Sequence, residues 1–176
     1  QQSRKLSIGI VGAVKAGKSS FLNACIFDGK EFLPKAATPM TAALTKITYS
    51  ETPRAVVHFY DQEDWDKVLR DSEKYDTGLK NEYEKYCQQQ LNMQMLSQAS
   101  YMESLTIMSM DEYERQRYRC PSETQRGAKE LTRMAKDPSI LEKLGRTDTL
   151  DGDVMGKLND YVGAKGTYTP IVSYVE

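Results

Sequence analysis

KLSIGIVGAVKAGKSSFLNACI, residues 5–26, contains the pattern G-x-x-x-x-G-K-[ST], with Gly12, Gly17, Lys18 and Ser19 in its fixed places. At ordinary residue frequencies these four positions coincide by chance about once in 30,000 starts, so the match is informative in so short a chain. Before it, Leu6, Ile8, Ile10 and Val11 make an apolar run that suits a strand buried in a parallel sheet. After it, Phe21, Leu22, Cys25 and Ile26 recur at helical spacing. Strand, glycine loop and helix in that order aim loop amides and a helix N-terminus at one anionic group. The plainer alternative is a glycine turn between two core elements.

The 176 residues suit one domain with a real core, and the composition is that of a soluble globular protein. No apolar run approaches the ~20 residues that span a bilayer, and QQSRKLS lacks a secretory hydrophobic segment, so neither insertion nor export is expected. Cys25, Cys87 and Cys120 are far apart and form no C-x-x-C pair. They indicate neither a disulfide framework nor a zinc site, and a reduced, cytoplasmic setting is expected. His58, the only histidine, lies between Val57 and Phe59 in an expected strand and reads as structural, not catalytic. Residues 1–60 hold eight Lys/Arg against three Asp/Glu, whereas 61–176 hold sixteen against twenty-two. The positive excess thus falls on the half with the phosphate loop. No basic patch interleaved with aromatics is present, so nucleic acid is not an expected partner.

Pro34 and Pro39 make residues 28–41 a loop. ALTKITY and RAVVHFY then read as two strands joined by a turn at SETP. From about 61 to 145 the chain is polar and rich in Gln, Glu, Lys, Met and Tyr, with helices expected at 62–76, 78–104, 110–119 and 122–144 and an interruption at Pro138. Leu79, Tyr83, Cys87, Leu91 and Met95, with Tyr86 beside them, form one stripe, which packs on a neighbouring helix or offers a face to a partner. YTPIVSYVE returns to strand character after a glycine-punctuated turn, and a chain stopping inside a strand is expected to be part of a longer protein, its final strand lacking a partner.

GIVGAVKAGKSSFLNA, then LPKAATPMTAALTKITY, then a helical stretch, then LNDYVGAKGTYTPIVSYVE resembles the N-terminal part of the GTPase domain of dynamin-like proteins, the bacterial ones especially. The resemblance rests on both ends of the chain, and its specific element is the phosphate loop with Pro39 and Thr41 at the right distance after it. It implies an α/β fold: a phosphate-loop NTPase sheet over residues 1–176, incomplete at its C-terminal side, with a large helical insertion at about 61–145.

The resemblance also implies roles. Gly12, Lys15, Ala16, Gly17, Lys18, Ser19 and Ser20 would bind the nucleotide, Lys18 reaching the β- and γ-phosphates. Ser19 would give its hydroxyl to Mg²⁺. Thr41, with Thr38 as its rival, looks like the switch threonine that closes on the metal and positions the attacking water, making Lys18 and Thr41 the catalytic pair. GTP would be substrate and GDP product. Self-association is implied, as is peripheral membrane contact through regions outside this chain.

Two departures stand out. Eukaryotic dynamin relatives carry a small polar residue where this chain has Lys15, whose ammonium either substitutes for the cation held there or points to solvent. Neither the D-x-x-G that senses the γ-phosphate nor the [NT]-K-x-D that reads guanine stands in a fitting place within the 176 residues. The fragment alone is therefore expected to be inactive. Another phosphate-loop ATPase or kinase, or a non-catalytic interaction module, are the alternatives.

Overall fold

A computed structural model describes residues 8–12, 16–31, 33, 44–96, 107–163 and 165–176. They divide into two units, one made of residues up to 62 together with 135–176, the other of 63–134.

The first unit is built on a four-stranded sheet. Its strands are β1 (Leu44–Thr45), β2 (Arg54–Phe59), β3 (Thr147–Asp151) and β4 (Val172–Val175), in the order β1-β4-β2-β3. β2 shows why these residues make a strand: Ala55, Val57 and Phe59 are buried while Arg54, Val56 and His58 alternate with them toward the other face. β4 pairs parallel with β1 and antiparallel with β2. The register slips between His58 and Phe59, where the Ser173 hydroxyl donates to the His58 carbonyl at 3.0 Å. His58 stacks at a tilt on Tyr174, 5.0 Å between rings, which agrees with a structural role.

Helices α1 (Lys18–Ile26) and α6 (Val154–Val162) and a 3-10 turn (Thr169–Ile171) belong to the same unit. Val57, Val154, Leu158, Ile171 and Val175 form its buried core. Lys143 is enclosed there: it pairs with Asp148, lies 4.4 Å from the centre of the Tyr168 ring, and faces Phe59. Tyr161 donates to the same Asp148 carboxylate at 3.0 Å.

The second unit holds most of α2 (Gln62–Leu96), with α3 (Met110–Gln116) and α4 (Glu123–Met134); a short α5 (Pro138–Leu141) follows in the first unit. Ser109 and Glu112 close a capping box that starts α3. The centre of the unit is Tyr75, Leu79, Tyr86, Tyr113, Tyr118 and Cys120, with Tyr83 and Cys87 packed against it. Hydroxyls at its margin are satisfied: Tyr75 donates to Glu114 at 2.9 Å, and the same carboxylate takes Arg133 at 2.6 Å. Burial, then the Glu114 bond, pushes the Tyr75 phenol well above the ordinary tyrosine range.

Several expectations are corrected. The described residues 8–12 contain no strand, and Ile8 and Val11 are 78% and 96% exposed instead of buried. The two strands read on either side of SETP are not paired with each other: β4 lies between β1 and β2. For the same reason the final strand has two partners, not none.

α2 runs unbroken through 77–78. Gly78 there marks a close approach and not a stop: a Cβ on it would stand 2.7 Å from the Tyr118 hydroxyl. The stripe on α2 packs on neighbouring helices only as far as Cys87; Leu91 is exposed and Met95 is 81% exposed.

Candidate functional site

The loop ends at Gly17, whose φ of 85° and ψ of 11° place it in the left-handed region that an L side chain avoids. The chain turns there directly into α1, and the Phe21 amide donates to the Gly17 carbonyl at 2.8 Å. Among the described residues no side chain caps the helix, and its first turn carries no acidic residue. A helix start of this kind carries amides and the positive end of the helix dipole, features that suit an anion. Lys18 and Ser19, the first two helical residues, are half-buried, and Ser20 is exposed.

Gly12 lies close to Ala16 and Lys18. A Cβ on it would meet the Ala16 side chain at 3.5 Å and the Lys18 chain at 3.8 Å. The Lys18 ammonium donates to the Gly12 carbonyl at 2.7 Å. The structure thus brings Gly12, Ala16, Gly17, Lys18, Ser19 and Ser20 together around one helix start. Lys15, Thr38 and Thr41 lie outside the described residues.

These residues suit a phosphate group with its metal. Lys18 and Ser19 bring an ammonium and a hydroxyl to the first turn of α1, the residue types a phosphate group and its metal call for. Among the described residues no three His, Cys, Asp or Glu gather to hold a metal by themselves. A magnesium ion here would rest on the Ser19 hydroxyl and on phosphate oxygens, as that ion commonly does.

Asp153–Val154–Met155–Gly156 follows β3 and has D-x-x-G spacing, a coincidence that sequence reading passed over. Its carboxylate is occupied: Asp153 is the N-cap of α6, and its Oδ1 accepts the Gly156 amide at 3.1 Å. Sequence reading also missed Asn23. This buried α1 residue grips the backbone of Leu33, and nothing in FLNACI beyond the presence of an amide signals it.

A glycine turn leading into a helix start, on an α/β unit, is an arrangement that many anion-binding domains use. The model of the dynamin family matches residues 8–146, most of the chain, and the chain belongs to that family. It is 37% identical over 71 residues to dynamin-like protein 1 of Campylobacter jejuni, covering 40% of this chain and 10% of that protein. Over 52 residues it is 42% identical to a bacterial dynamin-like protein of Nostoc punctiforme, covering 30% of this chain and 7% of the relative. Dynamin-like protein A of Bacillus subtilis is 43% identical over 47 residues, 27% of this chain and 4% of the relative. The chain thus spans a tenth or less of the length of these relatives. No solved structure matches it significantly. No helix among the described residues is long and apolar enough to cross a membrane.

Proposed function

We propose that this chain supplies the phosphate- and magnesium-binding part of a dynamin-type GTPase, which hydrolyses GTP to GDP and phosphate. The observation that carries the reading is the start of α1 behind Gly17, with Lys18 and Ser19 on its first turn, in a chain of the dynamin family. Lys18 leaves the Gly12 carbonyl for the β- and γ-phosphates, and the loop amides of 15–20 surround them. Ser19 holds Mg²⁺, which when bound neutralises charge on the phosphates. Thr41 completes the site by orienting the attacking water, and Lys15 lies beside the phosphates or in solvent. The reaction asks the protein mainly for positioning and charge compensation.

Guanine selectivity and the γ-phosphate sensor call for motifs that these 176 residues do not place at the site; self-association goes with the reading, as does lipid contact through regions outside this chain. The helices of 63–134 are then an insertion in the GTPase domain, and the protein works in the cytoplasm or peripherally at a membrane.

The test measures GDP and GTP binding by the full-length protein, with and without Mg²⁺. Lys18→Ala should weaken binding of both nucleotides by about 100-fold, since no neutral side chain replaces a charge-assisted contact to phosphate. Ser19→Ala should weaken binding in Mg²⁺ more than in its absence. Equal affinities in wild type and Lys18→Ala would overturn the assignment.

A further inference from the structure

Arg115, Arg117 and Arg119 stand within five residues, RQRYR, at the end of α3 and just beyond it, and all three are exposed. Buried and exposed side chains alternate from Arg117 to Cys120: Tyr118 and Cys120 turn into the tyrosine core, and the two arginines turn outward. The neighbouring carboxylates are committed elsewhere. Glu114 accepts from Tyr75 and Arg133, Glu112 closes the capping box at the other end of α3, and Glu123 lies 3.7 Å from Arg126. Among the described residues none of the three arginines has a carboxylate at ion-pair distance, whereas Lys67, Lys74, Lys129 and Arg133 of the same unit all do.

A helix dipole favours cations at its C-terminal end, and this accounts for Arg115 in the last turn of α3 and Arg117 at its C-cap. The effect falls off within that turn, so Arg119 needs another reason. Arg117 lies over the Tyr86 ring, 5.4 Å from its centre, and Arg119 donates to the Tyr118 carbonyl at 3.5 Å, so each of these guanidiniums has its own support and the charge is spread along the segment. Little besides charge is offered to a partner. The Arg117 and Tyr118 amides both go to the Tyr113 carbonyl, and the Cys120 carbonyl accepts Arg126, which leaves no run of free backbone for a peptide strand. The one aromatic within the run is buried, which removes the platform on which a base would stack.

We propose that this arginine edge of the helical unit is a contact for the phosphates of an anionic lipid surface. Such a surface is read by charge density, without a pocket and without free backbone, and guanidinium groups suit phosphate by their planar, two-pronged donors. The contact uses none of the residues of the nucleotide site, so it goes beyond the GTPase reading and does not depend on it. Arginines that merely close the end of α3 would leave lipid binding unchanged when removed.

The experiment measures binding of the full-length protein to vesicles of phosphatidylcholine alone and of equal parts phosphatidylcholine and phosphatidylglycerol, at low and high salt. Wild type should bind the anionic vesicles, release them as salt rises, and ignore the neutral ones. Each basic residue at an anionic surface strengthens binding about fivefold, so Arg115→Gln/Arg117→Gln/Arg119→Gln should lose on the order of 100-fold. Lys67→Gln/Lys74→Gln, which removes two cations already paired, should stay within about twofold of wild type. A fluorophore on Gln116→Cys should report the approach of this edge to the anionic vesicles. If the triple variant fails to fold, Arg119→Gln, which leaves α3 and the Tyr86 contact intact, should still lose about fivefold. Failure of wild type to bind anionic vesicles, wild-type affinity in the arginine variants, an equal loss in the lysine variant, or a silent label on vesicle-bound protein would overturn the proposal. So would tighter, arginine-dependent binding to a random DNA duplex, which marks a polynucleotide partner, or displacement by inorganic phosphate beyond that by chloride at equal ionic strength, which marks a site for a single anion.

Discussion

The two units solve the problem of a core in different ways. The sheet unit buries aliphatic side chains, with Val57, Val154 and Ile171 at most 1% exposed, around strands that come from distant parts of the chain. The helical unit has few such residues and fills its centre with tyrosines whose rings meet edge to face or at a tilt, Tyr75 on Tyr118 at 5.2 Å and Tyr86 on Tyr113 at 5.1 Å. Tyrosine brings area together with a hydroxyl, and each hydroxyl that sinks into a core needs a partner. Specificity in the helical unit therefore lies in polar contacts at the core margin, such as Tyr75 and Arg133 on Glu114. In the sheet unit it lies in strand register and shape.

The sharpest way to break this comparison is to remove one ring from the tyrosine cluster. Tyr118→Ala deletes a buried aromatic that contacts Tyr75 and should cost about 4 kcal/mol. The loss would be read as faster hydrogen exchange of the α2, α3 and α4 amides. Unchanged exchange over 63–134 would mean that the tyrosines are not what holds these helices.

In the sheet unit the matching probe is Lys143, enclosed by Tyr168, Phe59 and the Asp148 carboxylate. Lys143→Met keeps the packing of the stem but leaves Asp148 without its cation, and should cost about 2 kcal/mol in a pair only partly shielded from water. The neighbouring Tyr161 adds a pH dependence. Burial, and then its hydrogen bond to Asp148, pushes its phenol up to about 12 from 10.0. A raised phenol means that the folded state favours the neutral form. Its contribution is whole below pH 10 and disappears as the pH rises from there through about 12. Melting followed against pH, with tyrosinate absorbance as a second probe, should show this alkaline loss in wild type and a smaller one in Tyr161→Phe. Tyr118, pushed up to about 12 chiefly by burial, places the helical unit in the same window.

How far each unit could be read in advance follows from the range of the interactions that form it. The start of α1 after Gly17 was legible because helical periodicity is local. β2 was legible because it alternates. β3 was not: TDTLD buries only Leu150, and the segment is a strand because it pairs with β2, Arg54 opposite Asp151. The partners of β4 were equally hidden, since pairing of Leu44 with Tyr174 joins residues 130 positions apart in the chain. At the candidate site, Lys18 and Ser19 announced themselves through the motif, whereas Asn23 acquires meaning only once Leu33 is seen against it.

Gly78 gives the finest test, because local and tertiary reasoning predict opposite signs there. A glycine inside an exposed helix is worth about 1 kcal/mol less than alanine, so by propensity Gly78→Ala should stabilise α2. The packing argues otherwise. A Cβ at this position would stand 2.7 Å from the Tyr118 hydroxyl, and that ring is buried and held edge-on by Tyr75. The hydroxyl cannot yield without moving the ring, and forcing extra volume into a packed site costs about 1–3 kcal/mol. The net expectation is destabilisation of about 1 kcal/mol, measured as a lowered midpoint in thermal or urea unfolding. Tyr118→Phe removes the obstructing oxygen while keeping the ring. In that background Gly78→Ala should become neutral or stabilising, and the double-mutant cycle should give a coupling of about 1–2 kcal/mol. If Gly78→Ala alone raises the midpoint, the close approach of α2 to Tyr118 is wrong and propensity governs this turn of the helix.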